Sequence, residues 1–248
     1  MRCRRKTIVI SKTLARYARD QYGREFVMIP NGAEVRREER AEVLLEMGLR
    51  PGRYMLSVCR LVRHKGVHYA IKAFQELEAL GKLPNNFKLA IVGDSAYSEE
   101  YVDYLKALSA GNPNIVFLGE QHGIQLDALY THAAFFLQTS EDEGLSLALL
   151  EAMGHGLLSL VSDIPANLEA IGTDAGVSFS SKDVEALKER MAYFVNRPDE
   201  AKAIGEKAMA RAEETYSWDA ITARTLAVYE ETLQMEASGA CVLTVRLK

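Results

Sequence analysis

Ser140-Glu141-Asp142-Glu143-Gly144-Leu145-Ser146-Leu147-Ala148-Leu149-Leu150-Glu151 follows the apolar run Ala134–Leu137 and opens a helical pattern that reaches Met153. A short apolar run that turns through a glycine into a helix is the junction of a strand–helix unit. The same junction recurs along the chain. Apolar, β-rich runs stand at Thr7–Ile10, Phe26–Ile29, Tyr54–Val58, Lys88–Val92, Ile115–Leu118, Leu157–Val161 and Gly176–Phe179. Helical periodicity fills Ala41–Met47, Val67–Leu80, Tyr101–Leu108, Leu126–Tyr130 and Leu147–Met153. This alternation predicts an α/β fold, a parallel sheet with helices on both faces. The runs are almost wholly apolar, as strands covered on both sides are. Ligands of such sheets sit at the carboxyl ends of the strands.

Beyond Phe179 the pattern turns helical. Asp183 is placed to cap a helix whose stripe is Val184, Leu187, Met191, Phe194 and Val195. Pro198 ends that helix or starts the next. A third helical stretch covers Ser217 to Met235, and Cys241 to Leu247 alternates as a final strand would. Ile29-Pro30-Asn31-Gly32 joins a strand to a turn signal and marks the natural seam.

Composition narrows the function. The 248 residues carry 30 Lys and Arg against 34 Asp and Glu, a net charge of −4, and 48% are hydrophobic. This is a globular chain, large enough to bury a core without disulfide staples. It has no strong basic field to grip nucleic acid. Uncharged stretches such as Ala128 to Ser140 fall short of the ~18 residues a membrane span requires. The basic start Arg2, Arg4, Arg5 and Lys6 is followed only by Ile8-Val9-Ile10 before Lys12, which is no export signal. Cys3, Cys59 and Cys241 are scattered and odd in number, with neither disulfide nor metal spacing. His64 and His68 stand four apart, but Gly66 lies between them and no third ligand is adjacent, so they read as loop or surface histidines.

Four junctions can carry chemistry. In the quoted stretch, Gly144 admits a ligand close to the backbone, and the free amides of the helix start suit a phosphate. Glu143 before the helix and Glu151 two turns in can accept hydroxyl hydrogen bonds on either side of a diphosphate. They are equally explained as acids favoured by the helix dipole. Ser57-Val58-Cys59-Arg60-Leu61-Val62-Arg63-His64-Lys65-Gly66-Val67 also leaves a strand for a helix. Arg60 and Lys65 can pair with phosphate, or can be solvated surface cations. Its glycine spacing is not that of a P-loop. Ile91-Val92-Gly93-Asp94 reads as a nucleotide-proximal loop or a plain turn. In Ser162-Asp163-Ile164-Pro165-Ala166-Asn167, Asp163 or Ser162 is expected to cap the next helix, with Pro165 in its first turn.

Taken in order, these segments resemble the carboxyl-terminal, donor-binding domain of a retaining glycosyltransferase of family 4, with its GT-B fold. The resemblance covers about Thr7 to Leu233. Its most specific mark is the pair Glu143 and Glu151 with seven residues between them, inside Glu-Gly-Leu-Ser-Leu-Ala-Leu-Leu-Glu-Ala-Met. Arg60-Leu-Val-Arg-His-Lys65-Gly66 resembles the donor-phosphate loop, Phe117-Leu118-Gly119 the loop near the nucleotide base, and Ile29-Pro30-Asn31-Gly32 the hinge. The resemblance implies a Rossmann-like sheet. It implies that Arg60 and Lys65 hold the diphosphate of a UDP-, GDP- or ADP-sugar and that Glu151 binds the ribose. By the same resemblance Glu143 is the catalytic residue contacting the transferred sugar, and Gly144 and the amides of Leu145, Ser146 and Leu147 lie near the phosphate and sugar. Gly119 lies by the base, and neither a metal nor a cofactor is implied. Cys59 replaces a usual glycine, and Leu158-Ser159 a frequent proline–valine pair; both are expected to be tolerated.

The resemblance divides the chain into a strand–helix stub of the acceptor domain (1–30), the donor domain (31–216) and a crossover helix and tail (217–248). It implies that a full acceptor domain is missing, that the crossover helix lacks a full partner, and that the chain alone binds donor with little or no turnover. The exposed cleft side then invites self-association or a separate partner chain. A cytoplasmic location is expected, with peripheral membrane contact for a full-length enzyme acting on a sugar or lipid-linked acceptor. Two other readings stay open: a non-catalytic nucleotide-sugar-binding or regulatory module, and a fragment of a GT-B epimerase. A glycosidase is disfavoured because the two carboxylates flank a phosphate cradle. A dehydrogenase is disfavoured because no G-x-G-x-x-G follows an early strand.

Overall fold

A computed structural model describes residues 6–23, 26–95 and 99–237. The end strand expected at Cys241–Leu247 lies outside the described residues. Every other apolar run forms a strand. β1 (Ile8–Val9) and β2 (Val27–Met28) make a two-stranded parallel sheet connected by α1 (Lys12–Tyr22). The main sheet holds β3 (Tyr54–Val58), β4 (Lys88–Val92), β5 (Ile115–Phe117), β6 (Phe135–Gln138), β7 (Ser159–Ser162) and β8 (Val177–Phe179). α2 (Val43–Glu46) precedes it. α3 (Val67–Ala79), α4 (Glu99–Leu108), α5 (Gly123–His132), α6 (Leu147–Gly154) and α7 (Pro165–Ile171) connect its strands in turn. α8 (Val184–Val195), α9 (Pro198–Tyr216) and α10 (Trp218–Ala237) follow, with Asp183 capping α8 through the amide of Ala186.

All pairings are parallel, in the order β5-β4-β3-β6-β7-β8. The sheet is therefore wound outward in both directions from the β3–β6 pair. That reversal opens a crevice at the carboxyl ends of these two strands, where ligands of open α/β sheets bind. Strand side chains alternate between two apolar layers. Tyr54, Leu56, Val92, Phe136 and Val161 pack with residues of α2, α5 and α6. Met55, Leu89, Ile91, Phe135, Leu137 and Leu160 pack with residues of α3, α4 and α8. Leu158 and Ser159 are buried behind the crevice.

Two expectations are corrected. Neither Ser162 nor Asp163 caps α7. The residue before a proline is held extended, so Ile164 (φ −70°, ψ 148°) occupies the cap position without a side-chain bond, and Pro165 starts the helix. Asp163 instead accepts the Ser181 amide at 2.9 Å, and the Ser162 hydroxyl donates to the Ser140 carbonyl at 2.5 Å. His68 is not a loop or surface histidine. It is buried on α3 with Nδ1 2.8 Å from the Tyr101 hydroxyl, and burial lowers its pKa. Gly66, at φ +68°, ends a 3-10 turn over Arg63–Lys65 and starts α3 afresh, so the two histidines belong to different elements. α10 packs on the β1–α1–β2 unit. Its Ile221 and Val228 bury against Ile29, Arg224 donates to the Met28 carbonyl at 2.5 Å, and Glu231 pairs with Lys6. Tyr17, Tyr22, Leu226, Tyr229 and Leu233 stay exposed on α1 and α10.

The strand ends near the crevice are tightly built. Gly93, directly after β4, has φ +124°, and a Cβ there would lie 1.9 Å from the Cys59 carbonyl oxygen. Its amide donates to the Gly119 carbonyl at 2.8 Å. Backbone blocks that Cβ, so no side-chain rearrangement relieves it. Gly93→Ala is expected to cost about 3 kcal/mol, seen as a lower urea midpoint with unchanged slope.

Candidate functional site

Two loops meet at the reversal of the sheet. The loop after β3 carries Cys59 to Gly66, and that after β6 carries Thr139 to Ser146. They are joined along their length. The Thr139 hydroxyl donates to the Lys65 carbonyl at 3.0 Å, and the Glu141 amide to the His64 carbonyl at 2.7 Å. A Cβ on Gly66 would lie 2.2 Å from the Thr139 carbonyl oxygen, so only glycine lets the loops approach this closely. Glu141 adds side-chain ties to Tyr69 and Lys182, both 2.8 Å, which hold its carboxyl below its ordinary pKa.

The centre of the contact is an ion pair. Lys65 Nζ lies 2.5 Å from Glu143 Oε1, with the two side chains 12% and 8% exposed. The same Oε1 accepts Gln138 Nε2 at 2.8 Å and the Ser140 hydroxyl at 2.7 Å. Cys59 stands beside this pair, and burial of its thiol pushes the pKa up to about 12. Arg60 is exposed, and its guanidinium makes no hydrogen bond or ion pair among the described residues. Of the two cations expected to meet a phosphate, Lys65 is already neutralised and Arg60 is open to solvent.

Past Glu143 the chain enters α6. Ser146 is its cap, accepting the Leu149 amide at 3.3 Å, while Leu147 is half exposed at the helix mouth. Leu145 is buried, and its carbonyl accepts Asn31 Nδ2 at 3.5 Å, tying the loop to the turn that follows β2. At Gly144 a Cβ would face Ile10 and Leu14, each at 3.4 Å, so β1–α1 closes over this part of the loop. Gly119 ends the β5 edge of the crevice.

Glu151, in the second turn of α6, accepts the Tyr130 hydroxyl at 3.0 Å. Burial raises its pKa above the carboxylate norm. The Tyr130 ring stacks on His155 at 5.3 Å, and His155 Nδ1 is 3.0 Å from the Thr131 hydroxyl. Arg36 pairs with Asp127 at 2.7 Å, and Asp127 lies 3.6 Å from His155 Nε2. The structure thus brings Lys65 and Glu143 into contact and puts Glu151 in a separate buried network. Sequence reasoning missed Gln138, Ser140 and Tyr130. The available signal was a glutamine at the end of an otherwise apolar buried strand, since a buried polar side chain requires a partner.

The doubly wound parallel sheet with helices on both faces is the architecture of GT-B proteins. The family comparison agrees: residues 48–211 match the model for glycosyl transferases group 1, and the chain belongs to that family. It is 31% identical over 191 residues to the lipopolysaccharide core biosynthesis mannosyltransferase LpcC of Rhizobium leguminosarum bv. viciae, covering 74% of this chain and 52% of the relative. It is 29% identical over 186 residues to a GDP-mannose:cellobiosyl-diphosphopolyprenol alpha-mannosyltransferase of Xanthomonas oryzae pv. oryzae, covering 74% and 48%. The chain therefore spans about half the length of these relatives. Among solved structures, Anabaena HepE in complex with UDP and glucose superposes with a TM-score of 0.81 at 18% identity, covering 91% of this chain and 63% of that one. Sucrose-phosphate synthase from Thermosynechococcus elongatus does so with 0.78 at 21%, covering 92% and 58%. No helix among the described residues is long and apolar enough to cross a membrane.

His155 makes acid stability a local reporter. Burial, then Arg36 and Arg37, lowers its pKa from 6.5 to about 4, outweighing the nearby Asp127. The unfolded chain takes up this proton below pH 6.5 while the folded chain resists it until about 4. The wild type is expected to lose up to about 3 kcal/mol across that window. A His155→Gln chain is expected to show a flatter profile in urea melts at stepped pH.

Proposed function

We propose that this chain is the donor-binding half of a retaining glycosyltransferase of family 4, which moves a sugar from a nucleotide diphosphate to an acceptor hydroxyl. The observation that carries this reading is the meeting of Lys65 and Glu143 across the sheet reversal, beside an open Arg60. Lys65 and Arg60 take the diphosphate, the ammonium as a point charge and the guanidinium as a fork. The amides of Leu145, Ser146 and Leu147 add donors at the start of α6. As the bond from the anomeric carbon to the diphosphate breaks, negative charge grows on the phosphate oxygens. Prearranged cations and amides stabilise that charge most. Glu143 lies against the transferred sugar. Glu151, aimed by Tyr130, accepts the ribose hydroxyls, and the Gly119 edge holds the base.

The acceptor lies on the far side of the crevice, against a second α/β domain of which residues 1–30 are the last piece. The donor domain is 31–216, and 217–248 is the crossover. On its own the chain binds donor and transfers little, and its exposed α1 and α10 side chains favour self-association. The site works on the cytoplasmic side, with peripheral membrane contact where the acceptor is lipid-linked, and requires no metal.

Titration calorimetry with UDP-glucose, GDP-mannose and ADP-glucose tests the reading. One donor is expected to bind, and Arg60→Ala with Lys65→Ala to weaken it by ten- to a hundredfold, the loss of one or two charge-assisted hydrogen bonds. Absence of binding at millimolar donor, or equal binding by the variant, contradicts it. Affinity is also expected to fall on acidification, because protonated Glu151 loses acceptor capacity. Since burial raises this pKa and Tyr130 opposes the rise, the midpoint lies above the carboxylate norm, and Tyr130→Phe moves it higher.

A further inference from the structure

Three donors converge on one oxygen of Glu143: Lys65 Nζ, Gln138 Nε2 and the Ser140 hydroxyl. The two neutral donors form a closed set. Gln138 Nε2 also donates to Ser140 Oγ at 3.0 Å, which leaves the Ser140 hydroxyl hydrogen free to point at Glu143. Gln138 is 3% exposed and Ser140 1%. The set is anchored from behind. The Ser140 carbonyl accepts the Ser162 hydroxyl, and Ser162 accepts Asn167 Nδ2 at 3.0 Å, with both of these residues almost fully buried. The backbone of Lys65 is held separately, through its carbonyl on Thr139. Its ammonium is therefore the one mobile donor of the three, on a flexible four-carbon stem.

This asymmetry matters because the donor reading asks Lys65 to serve two anions. In the structure it neutralises Glu143, and in the donor reading it faces the diphosphate. A carboxylate this buried is costly to leave without partners. Were Lys65 its only partner, Glu143 would keep the ammonium from the phosphate or swing after it. We propose that Gln138 and Ser140 are positioning residues that hold Glu143 in place when Lys65 transfers to the diphosphate. They make the release of Lys65 affordable and keep the carboxylate against the sugar. This inference rests on the donor-site reading and adds to it a handover between two anions, with the residues that permit it.

The test is a thermodynamic cycle, with UDP, GDP and ADP as probes in calorimetry on the full chain. Lys65→Met is expected to weaken nucleoside diphosphate binding about tenfold. Gln138→Met with Ser140→Ala is expected to weaken it similarly, because Glu143 then retains Lys65. The triple variant is expected to bind about as the weaker of these two, because the ammonium is already withheld. Multiplying losses, or wild-type binding by the Gln138/Ser140 variant, overturn the proposal, since a purely structural role predicts additivity. A ligand-free crystal structure of the Lys65→Met chain gives an independent reading. Glu143 is expected to stay on Gln138 and Ser140, and its departure overturns the proposal. If wild type binds none of UDP, GDP and ADP, the donor reading fails, and that structure alone decides whether the two residues position Glu143.

Discussion

The ion pair of Lys65 with Glu143 constrains everything around it. Its partners arrive from β3 and β6, the two strands at which the sheet reverses, and both are largely removed from water. A buried charge pair survives only with good geometry and further hydrogen bonds. The loops are accordingly pressed together at Gly66 and bonded at Thr139 and Glu141. Gln138 and Ser140 complete the set on the carboxylate. The parallel sheet supplies the position, the glycine the approach, and the buried polar side chains the orientation.

Much of this was legible in the residues. The strands could be read because both faces of the sheet are covered, which makes strands such as Met55-Leu56 and Leu89-Ala90-Ile91 continuously apolar. The order of the cation loop and the carboxylate loop marked the crevice, because both follow strands and precede helices. Other features depend on neighbours distant in sequence. Ser162 reaches back to Ser140, and Asp163 across to Ser181, so local capping preferences lost to tertiary partners. His68 looked exposed because Tyr101, its hydroxyl partner, belongs to another helix. The pairing of Lys65 with Glu143 was equally hidden, since each residue read alone is suited to a free ligand.

The junction of the two sheets follows the same logic at larger scale. The chain passes between them twice, at Ile29–Ala33 and at Tyr216–Trp218. The passages run side by side, with the Ala33 amide donating to the Tyr216 carbonyl at 2.7 Å. β1–α1–β2 is secured to the main unit at a few points. Glu169 accepts the Lys12 amide at 2.9 Å, Ile10 and Leu14 touch Gly144, and α10 lies along β2. The Glu143 loop, which follows a strand of the large sheet, is therefore approached by the unit of the small one. A shift of the small sheet against the large one would be felt directly at Gly144.

One residue at this junction has a practical consequence. Trp218 opens α10 with its indole laid on Gly32, where a Cβ would come within 2.4 Å of the ring. It is also the single tryptophan in the sequence, and about half of it remains in contact with solvent. Its emission colour and quenching thus report one place in the molecule, the point where both strands of the crossing touch. The protein carries a built-in optical gauge of this crossing, readable without any label.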